Sequence, residues 1–144
     1  MLELDPPAYL VLPDPISTNN LFGNLPGRGR VVTRDYKAWR KVVAQILSAQ
    51  RPLPQFALPV EMTFYVGEKR IGQMDTDNVF KAFTDALVKH GVIHDDSRKW
   101  VRRTSSVWVP GMAGCVVKIK VAAMEISAET VRGSVHENLR GLLQ

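Results

Sequence analysis

Apolar and polar residues alternate along this chain in two periods, and the two-residue period predicts its strands. Val60–Val66 alternates apolar residues with more polar ones, which is typical of a half-buried strand. Ala8–Leu12 (AYLVL) is a short apolar run closed by prolines and predicts another strand. Val101–Val109 and Cys115–Met124, joined by the turn PGMAG, predict two more.

Other apolar residues recur at the spacing of an α-helix. The first such segment predicts a helix over approximately Arg34–Gln50, with Thr33 as its N-cap and basic residues on its outer face. The second predicts a helix over approximately Asp77–His90, with Asp77 near its N-cap and Gly91 ending it. The buried stripe of this second helix is expected to contain Val79, Phe83, Ala86 and Leu87.

The remaining segments complete an α+β order. The stretch before the first helix (NNLFGNLPGRGR) is rich in Asn, Pro and Gly, and predicts a loop or an irregular hairpin. The order β-α-β-α-β-β-α predicts a single α+β domain over residues 1–124, with a small mixed β-sheet of about four strands and flanking helices. Residues 125–144 are expected to form a helical tail that docks on the same domain or on a dimer partner. Its apolar stripe consists of Val131, Val135, Leu139 and Leu142.

Length and charge narrow the choice of partner. At 144 residues the chain is long enough for one domain and too short for two that each bury a sizeable core. It carries 19 Lys and Arg against 14 Asp and Glu, a net charge of +5. Five of the acids lie between residues 75 and 96, so the remaining surface is more basic than the net charge suggests and favours a nucleic-acid partner. Composition alone is equally compatible with a charge that only keeps the protein in solution.

Cysteine usage and hydropathy indicate the compartment. Cys115 is the sole cysteine, which leaves no intrachain disulfide and no cysteine-based zinc site, and fits a reducing cytoplasm. No stretch approaches about 18 consecutive apolar residues, and the N-terminus MLELDPPAYL lacks the basic-then-apolar order of a signal peptide. We therefore expect a cytoplasmic protein without a membrane partner.

The run DTDNVFKAFTDALVKHGVIHDD, from Asp75 to Asp96, holds five aspartates around Lys81. Like-charge repulsion makes such a concentration costly unless a cation resolves it, so a hard divalent metal is the favoured explanation. Asp75 and Asp77 open the second helix, and the doublet Asp95–Asp96 follows its end, where the chain can return towards the helix start. These carboxylates predict a Mg²⁺ site, with Mn²⁺ as the substitute, and Lys81 is expected to stabilise charge on a reacting phosphate.

Structural roles would explain part of the same pattern. An Asp77 cap and a helix pair of Lys81 with Asp85 would account for three of these residues without any chemistry. Asp85 also lies off the line that joins Asp77 and Lys81 on the helix, so ion pairing explains it at least as well as metal ligation. His94, adjacent to the doublet, is a candidate to contact the metal ligands without binding the metal itself. His90 is expected to be a packed or capping group at the helix end.

Three other classes of protein compete with a metal-dependent nuclease. An EF-hand fails because Val79, Phe80 and Ala86 stand where it needs an acid or amide, a glycine and a glutamate. A small metal-dependent phosphatase of the haloacid-dehalogenase type also uses D-x-D and a later doublet, but it needs a large parallel sheet for which this chain has no room. A non-catalytic domain that binds branched DNA, with aspartates that only cap and pair, stays open.

The run MDTDNVFKAFTDALVKHGVIHDDSRKW resembles the signature of the RusA-type Holliday junction resolvases, D-x-D-N-x-x-K-x-x-x-D-A-L…G-V-x-x-D-D-S, and every letter of that signature is present in register. The stretches PISTNNLFGN and RDYKAWRKVV are similar to the opening of the same family, so the resemblance covers approximately residues 8–124. It implies a RusA-like fold and a homodimer that needs Mg²⁺ or Mn²⁺ and nicks two strands of like polarity in a four-way DNA junction.

The resemblance also implies roles for individual residues. Asp75, Asp77 and Asp96 match the family's metal-binding catalytic carboxylates, and Lys81 matches its catalytic lysine. Asp95 matches the first member of the doublet and is an additional candidate for the ligand set. The implied substrate is coherent with a dimer, because two-fold symmetry presents two equivalent sites to two symmetry-related phosphates.

DNA contacts are expected from residues that flank the acidic run or face outward from the first helix. Met74, an apolar residue directly before the first carboxylate, is expected either to wedge against an unstacked base at the junction centre or to pack beneath its loop. About half of the cations are expected to be solvated charges only. The candidate set is Arg34, Lys37, Arg40, Lys41, Lys69, Arg70, Met74, Arg98, Lys99, Arg102 and Arg103.

Overall fold

A four-stranded mixed sheet lies at the centre of the computed structural model, which describes residues 6–123 and 125–143, the side chains of Thr76 and Asp77 excepted. Its strands are β1 (Ala8–Leu12), β4 (Val60–Gly67), β5 (Val101–Val109) and β6 (Cys115–Val121), in the order β1-β6-β4-β5. Strands β4 and β5 are parallel, and the other neighbours are antiparallel. The predicted α+β fold with a small mixed sheet of four strands is confirmed.

A separate two-stranded hairpin precedes the first helix. It consists of β2 (Phe22–Leu25) and β3 (Gly29–Val32), and it is the irregular hairpin that the Asn-, Pro- and Gly-rich segment predicts. Its turn uses Gly27 and Gly29 at φ angles of 76° and 68°, a region that side-chain-bearing residues rarely adopt.

Two helices bury one face of the sheet. They are α1 (Arg34–Ser48), two residues shorter than predicted, and α2 (Phe80–Lys89). The Thr33 hydroxyl accepts a hydrogen bond from the N–H of Tyr36 at 3.1 Å, which confirms the predicted cap of α1. Phe83 of α2 stacks on Phe64 of β4 with ring centroids 5.3 Å apart, and the predicted stripe of Val79, Phe83, Ala86 and Leu87 is buried.

The second helical segment begins differently from the prediction. A 3-10 helix over Thr76–Val79 precedes α2, and Asp75, not Asp77, stands in the N-cap position. The reason is that the carbonyl of Asp75 already accepts a hydrogen bond from the N–H of Asn78 at 3.0 Å, which closes the first turn two residues early. The prediction of Asp77 near the N-cap is therefore wrong, whereas Gly91, at a φ angle of 75°, ends the segment as predicted.

The C-terminal part is more broken than a continuous apolar stripe suggests. Strand β6 ends at Val121, earlier than the predicted Met124, which lies outside the described residues. The tail contains α3 (Ala128–Gly133) and then a 3-10 helix over Glu137–Leu142, capped by the side chain of His136. None of the described tail residues is buried, so the place where its stripe docks stays a prediction. None of the described helices is both long and apolar enough to cross a membrane.

Candidate active site

The acidic run is attached to the end of β4 through a closely packed glycine. A Cβ on Gly67 would collide with the backbone carbonyl of Met112 in the β5–β6 turn, so glycine allows this approach. The N–H of Gly67 donates to Gly114 at 2.8 Å, and the N–H of Lys69 donates to Met112 at 3.0 Å. These bonds fix the start of the loop that carries Asp75.

Asp75 presents its carboxylate at the first turn before α2. It is exposed and occupies the N-cap position, yet its side chain makes no capping hydrogen bond to the described residues. Its carboxylate is therefore not engaged in capping the start of the helical segment and stays available to a ligand. The side chain of Asp77, the second predicted ligand, lies outside the described residues.

Lys81 joins the middle of the acidic run, at Asp85, to its end, at Asp96. Its ammonium lies 3.0 Å from Oδ1 of Asp85, one turn later on α2, and 3.4 Å from Oδ2 of Asp96. The hydrogen bond to Asp85 raises the pKa of Lys81 above its ordinary value, partial burial opposes this, and Asp96 adds to the increase. The ion pair accounts for Asp85, as its position on the helix suggested, and Lys81 stays fully protonated near neutral pH.

Asp95 organises the turn that presents Asp96. Its Oδ1 accepts a hydrogen bond from the N–H of Asp96 at 2.9 Å. That N–H, together with Ser97, lowers the pKa of the Asp95 carboxyl below its ordinary value. Val92 and Ile93 are buried just before the doublet, and this burial turns the chain back so that Asp96 reaches Lys81, as the sequence predicts.

The described residues do not by themselves assemble a metal cage. No three His, Cys, Asp or Glu side chains among them are close enough together to hold an ion, and the Asp77 carboxylate lies outside the described residues. The donor chemistry nevertheless fits a hard divalent cation, because Asp75, Asp95 and Asp96 supply only oxygen ligands. The structure brings Lys81, Asp85 and Asp96 together, and it places Asp75 along a different cavity.

Two cavities next to these carboxylates contain residues that sequence reasoning missed. Glu68 and Trp108 line a cavity of about 560 Å³ with Asp75. Arg30 and Thr104 line another, of about 420 Å³, with Lys81 and Asp96. Glu68 lies in a charged loop and Arg30 in the short strand β3 that follows a glycine-rich turn, and neither position carries a pattern that would distinguish it from a solvated charge.

The predicted DNA-contacting residues fall into separate groups. Arg98, Lys99, Arg102 and Arg103 line one groove of about 1070 Å³. Arg40 stacks on the Tyr36 ring, 4.0 Å from its centroid, and lines the groove between α1 and α2 that also contains Asp96. The other predicted cations, which are exposed, are Arg34, Lys37, Lys41, Lys69 and Arg70.

Three residues near the site have structural partners. Met74 is partly buried and packs against the core, Arg70 forms an ion pair with Asp14 at 3.0 Å, and the ring of His94 lies 4.2 Å from that of Trp100. Burial lowers the pKa of His90 below its ordinary value, with the nearby charges of Lys89 and Arg51 adding to the effect. These partners do not exclude DNA contact, so the roles of Met74 and Arg70 on DNA stay predictions.

Carboxylate oxygens beside a lysine ammonium, on a domain whose cations line grooves, are the groups that hydrolysis of a nucleic-acid backbone requires. The fold and these groups are compatible with a small α+β nuclease domain. The sequence profile described as Endodeoxyribonuclease RusA matches residues 14–120. The chain belongs to this family, whose members are endonucleases that resolve Holliday junctions. No curated protein matches the chain in a comparison of whole sequences.

Proposed function

We propose that this chain is a metal-dependent, structure-selective endodeoxyribonuclease that resolves four-way DNA junctions by paired symmetric nicks, in DNA recombination and repair. The single observation that carries the proposal is the placement of Lys81 between Asp85 and Asp96. Asp75 stands at the start of the same helical segment, and its carboxylate makes no capping hydrogen bond to the described residues. Family membership indicates that the substrate is a four-way junction, since the geometry by itself supports only the hydrolysis of a phosphodiester.

The ion that this chemistry needs is Mg²⁺, with Mn²⁺ as the substitute. Asp75, Asp77 and Asp96 would hold it, with Asp95 as an additional ligand. When bound, such an ion lowers the pKa of water and neutralises charge that develops on the phosphate. Asp95 already orients Asp96 through the 2.9 Å hydrogen bond to its N–H, so loss of Asp95 is expected to disturb Asp96 even without direct ligation.

Lys81 acts on the phosphate in this proposal. Hydrolysis joins a water oxygen to phosphorus and breaks the bond from phosphorus to one sugar oxygen; the water releases a proton to solvent and the leaving oxygen takes one up. Negative charge grows on the non-bridging oxygens during this step, and a protonated lysine within reach stabilises it. The pairs with Asp85 and Asp96 hold the ammonium in place and charged before DNA arrives.

A homodimer is part of the same proposal. Two equivalent cuts need two carboxylate sites, and a two-fold axis supplies them. Exposed apolar side chains that a second copy would cover lie on the outer face of the sheet, at Tyr9, Val11 and Val107, and in the tail, at Val131 and Leu142. Sedimentation of the protein as a strict monomer, both free and on junction DNA, would remove the dimer from the proposal.

A non-catalytic junction-binding domain is the second candidate. It is favoured by the structural roles that Asp85 and Asp95 already have, since both carboxylates are engaged without a metal. A phosphatase of the haloacid-dehalogenase type does not fit this fold. Such enzymes use a large parallel sheet, whereas β4 and β5 form one parallel pair in an otherwise antiparallel described sheet.

One experiment separates these candidates. A synthetic mobile four-way junction and a linear duplex of the same sequence are incubated with the protein, each with and without Mg²⁺. We expect paired nicks in the junction only, and only with the ion. Tight junction binding without nicks in either condition would favour the non-catalytic domain.

A further inference from the structure

The cavity of about 420 Å³ beside Lys81 and Asp96 is also lined by a basic residue, Arg30, that lies outside the acidic run. The cavity is formed by residues just before and within the β2–β3 hairpin, by the start of α2, by Asp96 and by strand β5. Arg30 of the hairpin and Thr104 of β5 both line it. An arginine from the hairpin therefore shares a cavity with the lysine and the carboxylate of the candidate active site.

An aromatic ring holds the Arg30 guanidinium in place. Its Cζ atom lies 4.2 Å from the centroid of the Phe22 ring, a cation–π contact that leaves the edge donors of the guanidinium free. Phe22 is itself supported, edge-on, by the buried ring of Tyr36, with centroids 6.0 Å apart. Among the described residues Arg30 has no carboxylate partner, in contrast to Lys81, Arg70 and Arg102.

The segment directly before the hairpin, residues 18–21, is tied to the acidic run. The Thr18 hydroxyl donates a hydrogen bond to the carbonyl of Asn78, at 3.0 Å, in the turn that follows Asp75. On the other side, the N–H of Thr33 donates to Leu21 at 3.0 Å, and the Thr33 hydroxyl donates to Asn20. These bonds connect the hairpin that carries Arg30, through residues 18–21, to the turn that follows the first carboxylate.

We infer that Arg30 binds the non-bridging oxygens of a DNA phosphate in the Lys81–Asp96 cavity. An arginine with two free edge donors matches a phosphate in a bidentate manner, and one without an acidic partner loses no ion pair when the phosphate arrives. Arg30 and Lys81 then hold the phosphate from two sides of the cavity. This inference rests on the proposed function, because it takes the phosphate to be the one cut or its neighbour on the same strand.

The test compares Arg30→Gln with Arg28→Gln, which removes an exposed cation from the same hairpin that does not line this cavity. Junction affinity is measured without metal over a range of salt concentrations, and kcat and KM are measured with Mg²⁺. We expect Arg30→Gln to lower kcat/KM by about ten- to hundred-fold, the value of a charge-assisted hydrogen bond. It should also reduce the slope of log affinity against log salt by about 0.9, the value for one phosphate contact.

Arg28→Gln should leave kcat/KM and the salt slope within about twofold and 0.3 of the unmodified protein, since an isolated exposed charge contributes little. Arg30→Lys should recover part of the activity lost in Arg30→Gln, because lysine keeps the charge but not the bidentate geometry. Equal effects of Arg28→Gln and Arg30→Gln would overturn the inference, as would full activity in Arg30→Gln with unchanged thermal stability.

The salt slope keeps this inference separate from the proposed function. If the unmodified protein binds junctions but never nicks them, the nuclease proposal fails. A reduced slope in Arg30→Gln would then still support the phosphate contact, and an unchanged slope would overturn it. A melting temperature for each variant shows whether the hairpin has kept its fold.

Discussion

The side-chain ammonium of Lys81 lies 3.4 Å from Oδ2 of Asp96, although the two residues are 15 positions apart in the chain. Gly91 permits the reversal between them, and the burial of Val92 and Ile93 fixes its direction. A carboxylate from beyond the helix thus meets a lysine on the helix. This contact turns a run of charges in the sequence into a site with a defined geometry.

Replacement of the predicted ligands by their amides should separate cleavage from binding. Asp75→Asn, Asp77→Asn or Asp96→Asn is expected to lower the cleavage rate by about 10³-fold or more, since several kcal/mol of metal-derived stabilisation would be lost. Junction affinity should be equal or higher, because each change removes a negative charge from a phosphate-binding surface. Gel-based cleavage and metal-free binding assays measure the two effects.

Asp35→Asn is the matched control for this series, since Asp35 is exposed in the first turn of α1 and lines none of the cavities beside the site. It should cleave like the unmodified protein. If any of the three amide variants retains Mg²⁺-dependent nicking, the residue replaced in it is not a metal ligand.

Loss of Lys81 should reduce turnover more than affinity. Lys81→Ala is expected to lower kcat by about 10²-fold, comparable to the removal of one group that stabilises transition-state charge. KM should change by less than about threefold, because other cations hold the DNA backbone. Lys89→Ala, on the last turn of the same helix, is the control. A large change in KM with unchanged kcat would reassign Lys81 to phosphate anchoring.

The sequence predicted the elements better than the details of the site. The periods of hydrophobic residues located every strand of the central sheet and both core helices, because burial of one face sets those periods. The N-cap of the second helical segment was missed by two residues, since a backbone hydrogen bond to Asp75 determines it and side-chain patterns do not report such bonds. Arg30 and Glu68 were missed for a different reason: the fold of the chain around the site brings them into its cavities, and neither has a local signature.

The basic groove should contribute to the salt dependence of DNA binding. Arg103 lines it together with Arg98, Lys99 and Arg102. If its guanidinium neutralises one phosphate, Arg103→Gln should reduce the slope of log affinity against log salt by about 0.9. Arg51→Gln, an exposed arginine that does not line the groove, should leave the slope unchanged. Equal slopes for both variants would show that the groove does not hold the DNA backbone.

Met74 connects the core to the cavity that contains Asp75. It packs against the core cluster and also lines that cavity. Met74→Ala therefore tests whether the part of Met74 that faces the cavity contributes to DNA cleavage. A wedge at the junction centre predicts cleavage slowed by about tenfold with an unchanged melting temperature, because a lost base contact costs about 1–3 kcal/mol. A lower melting temperature together with slower cleavage would indicate packing alone. Linear duplex affinity should not change in either case.

Cys115 should make the stability of the fold depend on pH in the alkaline range. Cys115 is 1% exposed at the start of β6, an interior strand of the sheet. Burial, with the charge of Asp14 adding to it, raises the pKa of the Cys115 thiol from 9.0 to about 12. Below 9.0 the thiol is protonated in both states; between the two pKa values the unfolded chain ionises and the folded protein does not, so the free energy of unfolding falls as pH rises.

Urea unfolding at about pH 8 and about pH 10 measures this loss, which cannot exceed about 1.4 kcal/mol for each pH unit above the unfolded pKa. Cys115→Ala is the control: it should be less stable at both pH values because of the cavity it leaves, but its stability should fall less between them. Lysine and tyrosine titrations are common to both proteins and cancel in the comparison. Parallel decreases would show that the Cys115 thiol ionises equally in the folded and unfolded chains, and rapid modification of the native protein by a thiol reagent at about pH 8 would contradict its burial.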